Sequence, residues 1–305
     1  MSIDLSVIIL NFNTKQLLKD CLRSIVKSDT GGYKIEVIIV DNASTDGSAE
    51  MAESLVSTNL FKRKNMKFSL TRNRKNLGFA AGNNKGIKKA RGRYVLLLNS
   101  DTRVYKETFA KMIEFMDESP NWAAATCKVT LSNRQLDWAC HRGLPNPWNA
   151  FCYFSGLEKL FPKFRLTGGY HQKWKNLKEA HQIDVISGAF FFIRKKVIDK
   201  IGFLDEDYFM YGEDIDWCFR IKEKDFRIAF ASITKITHVK GRSGKLKKTS
   251  DKNERKVKKE SMEQFFDTMK LFYKKHYSQR YPKFLMKMVF KGIDFLKKRE
   301  LKKCE

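Results

Sequence analysis

The chain has 305 residues, with 60 Lys and Arg against 34 Asp and Glu, a formal charge of +26. That length buries a large core, and six cysteines without any C-x-x-C spacing exclude a zinc module or a disulfide-framed miniprotein, so the thiols are read as reduced. No apolar stretch approaches the ~18 residues of a membrane span, and Met1-Ser2-Ile3-Asp4 lacks the basic start of a secretory signal, so a cytoplasmic chain is expected.

Residues 5–10 are apolar and β-branched and read as a strand; residues 15–28 carry Leu17, Leu18, Cys21, Leu22 and Ile25 at helical spacing. Strand and helix then alternate: 35–40, 48–55, 66–70, 80–90 and 94–98. Repeated β-α units with short loops predict an α/β fold with a doubly wound, mostly parallel sheet. A helix over 107–118 and a strand over 122–131 follow. Residues 132–181 hold Pro145, Pro147, Pro162, Trp138 and Trp148 without a clean period, and read as an irregular insertion that shapes a substrate pocket. An apolar run at 185–193 predicts another strand, and 195–201 a helix.

The remainder differs in composition. Residues 241–305 carry 21 basic and 8 acidic side chains, half of the whole excess. We divide the chain into a catalytic-type domain over 1–240 and a basic tail over 241–305. In the tail, 241–259 reads as a mobile loop, and 261–276 and 282–298 as amphipathic helices. Such helices suit an anionic membrane interface, giving peripheral attachment to the inner face of the cell membrane; packing on the main domain is the equal alternative.

Polar residues sit where strands end. Tyr94-Val95-Leu96-Leu97-Leu98 runs into Asn99-Ser100-Asp101, placing a carboxylate at the lip of the sheet, where open α/β folds bind ligands. There it can hold a divalent cation against a phosphate, although Asp101-Thr102 equally suits a helix N-cap. Asp41 follows Ile38-Ile39-Val40 in the same way, as a ribose or base contact or as a turn former with Asn42. The first β-α turn reads Asn11-Phe12-Asn13-Thr14, without the G-x-G-x-x-G of a dinucleotide site, which argues against NAD or FAD. The stretch from Asn76 through Gly78 and Gly82 to Asn83-Asn84 enters a helix, a place where backbone can approach phosphate. Gly212-Glu213-Asp214-Ile215-Asp216-Trp217 sets three acids in a first helical turn amid aromatics. Asp216 can pair with Arg220, but aromatic surroundings also suit a general base. His238 ends a further apolar stretch and can complete an Asp–metal site.

Taken together, Ser6–Asn11, Val40–Gly47, Asn76–Asn84, Asn99–Asp101, Ser187–Phe190 and Gly212–Asp214 resemble the nucleotide-sugar glycosyltransferases of family 2, over roughly residues 5–238. The branch looks rhamnosyltransferase-like. The resemblance implies the GT-A fold and inverting, single-displacement transfer. It implies that Asn11, Asp41, Asn76, Gly78, Asn83 and Asn99 bind the nucleotide sugar, and that Asp101 and His238 hold Mn²⁺ or Mg²⁺. It makes Asp214 the base, with Glu213 and Trp217 on the acceptor side. Asn99 departs from the D-x-D pattern, leaving one negative charge fewer. The expected partners are a nucleoside-diphosphate sugar and a glycan or lipid-linked saccharide. The rival readings are a basic nucleic-acid-binding protein and a nucleotide-sugar-binding module without catalysis. The tail lacks an aromatic platform or any helix-turn-helix, so no nucleic acid is expected.

Overall fold

A computed structural model describes residues 2–58, 61, 64–239 and 252–303. Four strands, β1 (Leu5–Asn11), β2 (Ile35–Asp41), β3 (Met66–Arg72) and β4 (Tyr94–Leu98), pair in parallel in the order β3-β2-β1-β4. β1, β2 and β4 are buried along almost their whole length. Helices on both faces demand apolar side chains on both, which is why these strands read as unbroken apolar runs. α1 (Lys15–Val26) buries Leu18, Cys21, Leu22, Ile25 and Val26, a stripe at spacings of three and four. α2 (Ser48–Ser57) and α3 (Gly78–Ile87) follow. α3 lies flush on the sheet because Gly82 and Gly86 lack side chains: a Cβ there would come within 2.6 Å of Leu10 and 2.4 Å of Ile8.

The second half is mixed. β5 (Thr102–Val104), α4 (Thr108–Glu118), β6 (Trp122–Leu131), α5 (Pro147–Ser155), α6 (Leu157–Leu160) and β7 (His181–Ile183) precede β8 (Phe190–Arg194) and α7 (Lys195–Ile201). Then come α8 (Glu213–Glu223) and β9 (Arg227–His238). β8 is antiparallel to both β4 and β6, and β6 runs parallel to β9. β5 and β7 pair with β9 antiparallel, and the described residues form one nine-stranded sheet.

Three expectations need correction. The strand expected over 185–193 begins only at Phe190: Val185 bridges to Arg142, and Gly188 then passes so close to Phe79 that a Cβ would lie 2.8 Å from its ring. The insertion 132–181 is partly helical. The Asn146 side chain accepts a bond from Asn149 N–H and Pro147 sits in the first turn of α5, a helix start written in the sequence. Of the loop expected over 241–259, residues 241–251 lie outside the described residues, and from Lys252 the chain is helical.

α9 (Lys252–His276) and α10 (Lys283–Lys302) close the chain. Phe266, Phe272 and Tyr273 of α9 are buried with Tyr208 and Phe219. Asp216 of α8 accepts bonds from Arg220 at 2.8 Å and His276 at 2.6 Å, Lys275 bridges to Asp205 and Asp207, and Tyr273 donates to the Pro145 carbonyl. Burial works against a charged Asp216, yet these cations hold its carboxyl below the usual range. The apolar stripe of α9 therefore packs on the main domain. α10 turns Met286 and Ile293 inward and leaves Phe284, Met288 and Phe295 exposed.

Candidate active site

In the order β3-β2-β1-β4, the chain winds outward in opposite directions from β1 and β4, so the crevice at their carboxyl ends is the place for a ligand. Two polar loops meet there: the Thr14 hydroxyl lies 3.0 Å from that of Ser100. On the β1 side, Asn11 is buried and fully engaged, donating to Asp41 and Ser44 and accepting from Thr14. Asp41 also accepts from the backbone N–H of Ser44. Asn11 and Asp41 thus brace the turns that wall the crevice.

The loop entering α3 is tied down by Asn42, which the sequence reading passed over except as a turn partner. Its amide donates to the Asn76 side chain and the Gly78 carbonyl, and its oxygen accepts from Asn73 and Leu77. The N–H of Gly78 is bound by Asn76 and that of Phe79 by the Phe209 carbonyl. The Leu77, Gly78 and Phe79 N–H groups are therefore bonded within the protein. Gly78 has φ +81°, and a Cβ would lie 2.3 Å from the Phe209 carbonyl, so only glycine fits. Asn83 is buried and donates to the Phe79 carbonyl of its own helix, so it supports the loop from behind. Asn84 clamps the Leu204 backbone and Glu206.

Asp101 does not begin a helix. Residues 99–101 turn directly into β5, whose pairing with β9 sets Thr102 opposite His238. Val239 N–H donates to the Asp101 carbonyl, and the His238 Nε2 lies 3.0 Å from the Asp101 carboxylate. On its other side the His238 Nδ1 meets Asp137 at 3.1 Å, a carboxylate from the insertion that no sequence signal marks. Burial disfavours a charged imidazole, but the two carboxylates prevail and raise the His238 pKa.

Across the rim, the Asn99 N–H donates to the Ala189 carbonyl, which places Ser187-Gly188-Ala189 beside the β4 end. Ile186 N–H contacts the Cys218 sulfur of α8. Gly212, at φ +83°, starts α8 and delivers Glu213 and Asp214. Asp214 forms an ion pair at 2.8 Å with the buried Arg142, a residue of the insertion missing from the sequence reading. Glu213 is buried, and its Oε2 has no hydrogen-bond partner among the described residues; the Ser187 hydroxyl is likewise orphaned. Burial, with the charge of Asp214 next to it, pushes the Glu213 carboxyl up to about 8. Adjacent acids thus differ: a neutral one able to donate and an ion-paired one able to accept. Trp217 is a correction. It is fully buried against Phe191 with its indole N–H on the Gly202 carbonyl, a core residue out of an acceptor's reach.

A parallel half sheet of four strands, continued by a mixed half and carrying a carboxylate–histidine pair at its switch point, has the architecture of the GT-A transferase fold. Residues 6–202 match the family model for glycosyl transferase family 2, and the chain belongs to that family. It is 26% identical over 239 residues to the low-salt glycan biosynthesis hexosyltransferase Agl10 of Haloferax volcanii, covering 77% of this chain and 67% of that one. It is 31% identical over 113 residues to the putative teichuronic acid biosynthesis glycosyltransferase TuaG of Bacillus subtilis, covering 37% and 42%. Among solved structures, the mannosyltransferase PcManGT of Pyrobaculum calidifontis with GDP-Man and Mn²⁺ superposes with a TM-score of 0.56 at 16% identity, over 88% of this chain and 64% of that one. The TarS 1–349 fragment of S. aureus with UDP-GlcNAc gives 0.51 at 18%, over 87% and 66%. At such identities these likenesses establish the fold. No helix of the described residues is long and apolar enough to cross a membrane.

Proposed function

We propose that the protein is an inverting glycosyltransferase that moves a single sugar from a nucleoside-diphosphate sugar, a UDP-sugar or dTDP-rhamnose, to a hydroxyl of a glycan or lipid-linked saccharide. The observation that carries this reading is the meeting of Asp101 and His238 at the sheet's switch point. Relatives named for glycan and teichuronic acid biosynthesis support the acceptor class.

Among the described residues no set of three or more His, Cys, Asp or Glu is arranged to hold a metal. The two donors that do face each other, one carboxylate and one imidazole with its far nitrogen held by Asp137, fit a divalent cation whose other ligands come from a diphosphate and water. Asp101 and His238 would hold that Mn²⁺ or Mg²⁺, which when bound supplies charge neutralisation for the leaving diphosphate. Asn99 would make a neutral contact to the ribose.

The protein's own part lies on the facing rim. Asp214 accepts the proton of the acceptor hydroxyl as its oxygen bonds to the anomeric carbon and the bond to the diphosphate oxygen breaks, with inversion. Arg142 fixes the Asp214 carboxylate in place. Glu213, protonated at neutral pH, donates to the acceptor. Incubating the protein with UDP-, dTDP- and GDP-sugars and candidate acceptors, with Mn²⁺ or EDTA, tests the reading through nucleotide release. No metal-dependent release or binding with any donor would refute it.

A further inference from the structure

Beyond α5 the chain reads Lys159-Leu160-Phe161-Pro162-Lys163-Phe164-Arg165-Leu166. Leu160 is 72% exposed, Phe161 57%, Phe164 61% and Leu166 58%, and Trp148 and Phe151 on α5 add exposed aromatic surface. A solvated loop is ordinarily built from polar and turn-forming residues; an apolar patch this dense marks a surface that meets something. We propose that this segment, residues 148–166, seats the protein on an anionic lipid bilayer beside its acceptor site. The inference adds a surface to the transferase reading and draws its purpose from it.

The segment is held rigidly. Trp148 Nε1 donates to the Leu166 carbonyl at 2.7 Å, Thr167 Oγ1 to the Phe161 carbonyl at 2.9 Å, and Gly168 N–H to the Phe164 carbonyl at 2.8 Å. Carbonyls bonded within the segment, with apolar side chains turned outward, suit an interface with hydrocarbon. Charge selects the occupant. Lys159, Lys163 and Arg165 are exposed among the apolar tips. The acid of this stretch, Glu158, is buried and bound by His171. Apolar tips ringed by cations match the headgroup region of an anionic membrane, where aliphatic stems and rings sink and charges meet phosphates. A second copy of this +26 chain would instead bring like charges together.

Position gives the surface a use. The same stretch of chain carries Arg142, which pairs with Asp214, and Pro145, whose carbonyl is bound by Tyr273 of α9. A saccharide carried on a lipid would therefore reach the candidate base from the side on which the protein sits. This assigns the membrane contact to the insertion and not to α9, whose stripe is already covered.

Flotation of the full chain with phosphatidylglycerol and phosphatidylcholine vesicles tests it. The parent should float with the anionic vesicles and lose them as salt rises. Phe161→Ser with Phe164→Ser should lower partitioning roughly tenfold or more, given the apolar area withdrawn. Lys159→Gln, Lys163→Gln and Arg165→Gln together should weaken binding and reduce its salt dependence, while Phe284→Ser with Met288→Ser on α10 should bind like the parent. All variants should keep the parent's melting temperature and its metal-dependent nucleotide response. Binding equal on both lipids, or undiminished in the serine variant, overturns the proposal. So does lipid-free self-association of the parent that the serine variant abolishes. A lost nucleotide response with membrane binding intact would instead count against the transferase reading alone.

Discussion

Glu213→Gln separates the two rim acids by a route that needs no substrate. The folded protein holds the Glu213 carboxyl at about 8, against an ordinary 4.5, chiefly through burial. Below pH 4.5 the side chain is protonated in folded and unfolded chains alike, so parent and variant should melt together. As pH rises, the unfolded chain releases its proton while the folded chain keeps it, and the parent loses stability until about pH 8, where the gap levels off. Each unit of separation is worth about 1.4 kcal/mol, so at pH 7 the buried acid costs about 3 kcal/mol. Glutamine fills the same space without that cost. At roughly 2–4 °C per kcal/mol the variant should melt several degrees higher at pH 7 and equally at pH 4. Thermal melts across pH 4–9 measure this. A difference that stays flat with pH, or a variant less stable at pH 8, would refute a buried neutral Glu213. Kinetics complete the test: the amide still donates, so kcat and acceptor KM should both stay near the parent's values.

Other perturbations discriminate further. Asp214→Asn keeps size and the contact to Arg142 but cannot take a proton; kcat should fall at least ~10²-fold with donor affinity unchanged, and an active variant removes Asp214 from the mechanism. Asp101→Asn should abolish Mn²⁺-dependent nucleotide binding by calorimetry while the fold persists. Asp216→Asn strands Arg220 and His276 at a buried joint and should cost about 3–5 kcal/mol at neutral pH. Because the Asp216 carboxyl is held low, its stabilising contribution is full above its ordinary pKa and fades as pH falls below it, so the variant's deficit should shrink in acid. Gly78→Ala must relieve a 2.3 Å approach to the Phe209 carbonyl at positive φ, and should lower the melting temperature and loosen nucleotide binding together.

β1, β2 and β4 were legible because burial on both faces leaves an unbroken apolar signature, β3 because Met66, Phe68 and Leu70 alternate with polar residues, and α1 because its stripe repeats every three to four residues. Asn146-Pro147 was equally legible and overlooked, since the surrounding aromatics broke the helical period. The start of β8 was not readable: Val185 and Ile186 are as buried as Phe190 but bond to the Arg142 backbone and the Cys218 sulfur, and composition does not distinguish a buried loop from a strand. Among the candidate residues, Asp101, His238, Glu213 and Asp214 stand at strand ends and a helix start, and that position singled them out in the sequence. Asp137 and Arg142 lie in a segment without period, and each earns its place only through a partner 101 or 72 residues away. Trp217 misled because an aromatic next to acids looks like a sugar platform until the helix face is known.

The mixed sheet explains why these particular residues converge. A fully parallel continuation after β4 would send the chain through another crossover helix and leave Asp101 alone at its lip. Instead the chain turns within three residues into β5 and pairs antiparallel with the last strand, so the end of β9 returns to the end of β4. That register brings His238 to Asp101 across 137 positions, and the same strand's pairing with β6 brings Leu131, and with it the insertion, to His238. The insertion then supplies Asp137 to the metal side and Arg142 to the acid side. One segment thus touches both ends of the proposed reaction, and its outer surface is the exposed apolar loop at 159–166. A substitution that shifts the insertion as a body should therefore disturb donor and acceptor affinity together, whereas changes confined to its exposed tips should disturb neither.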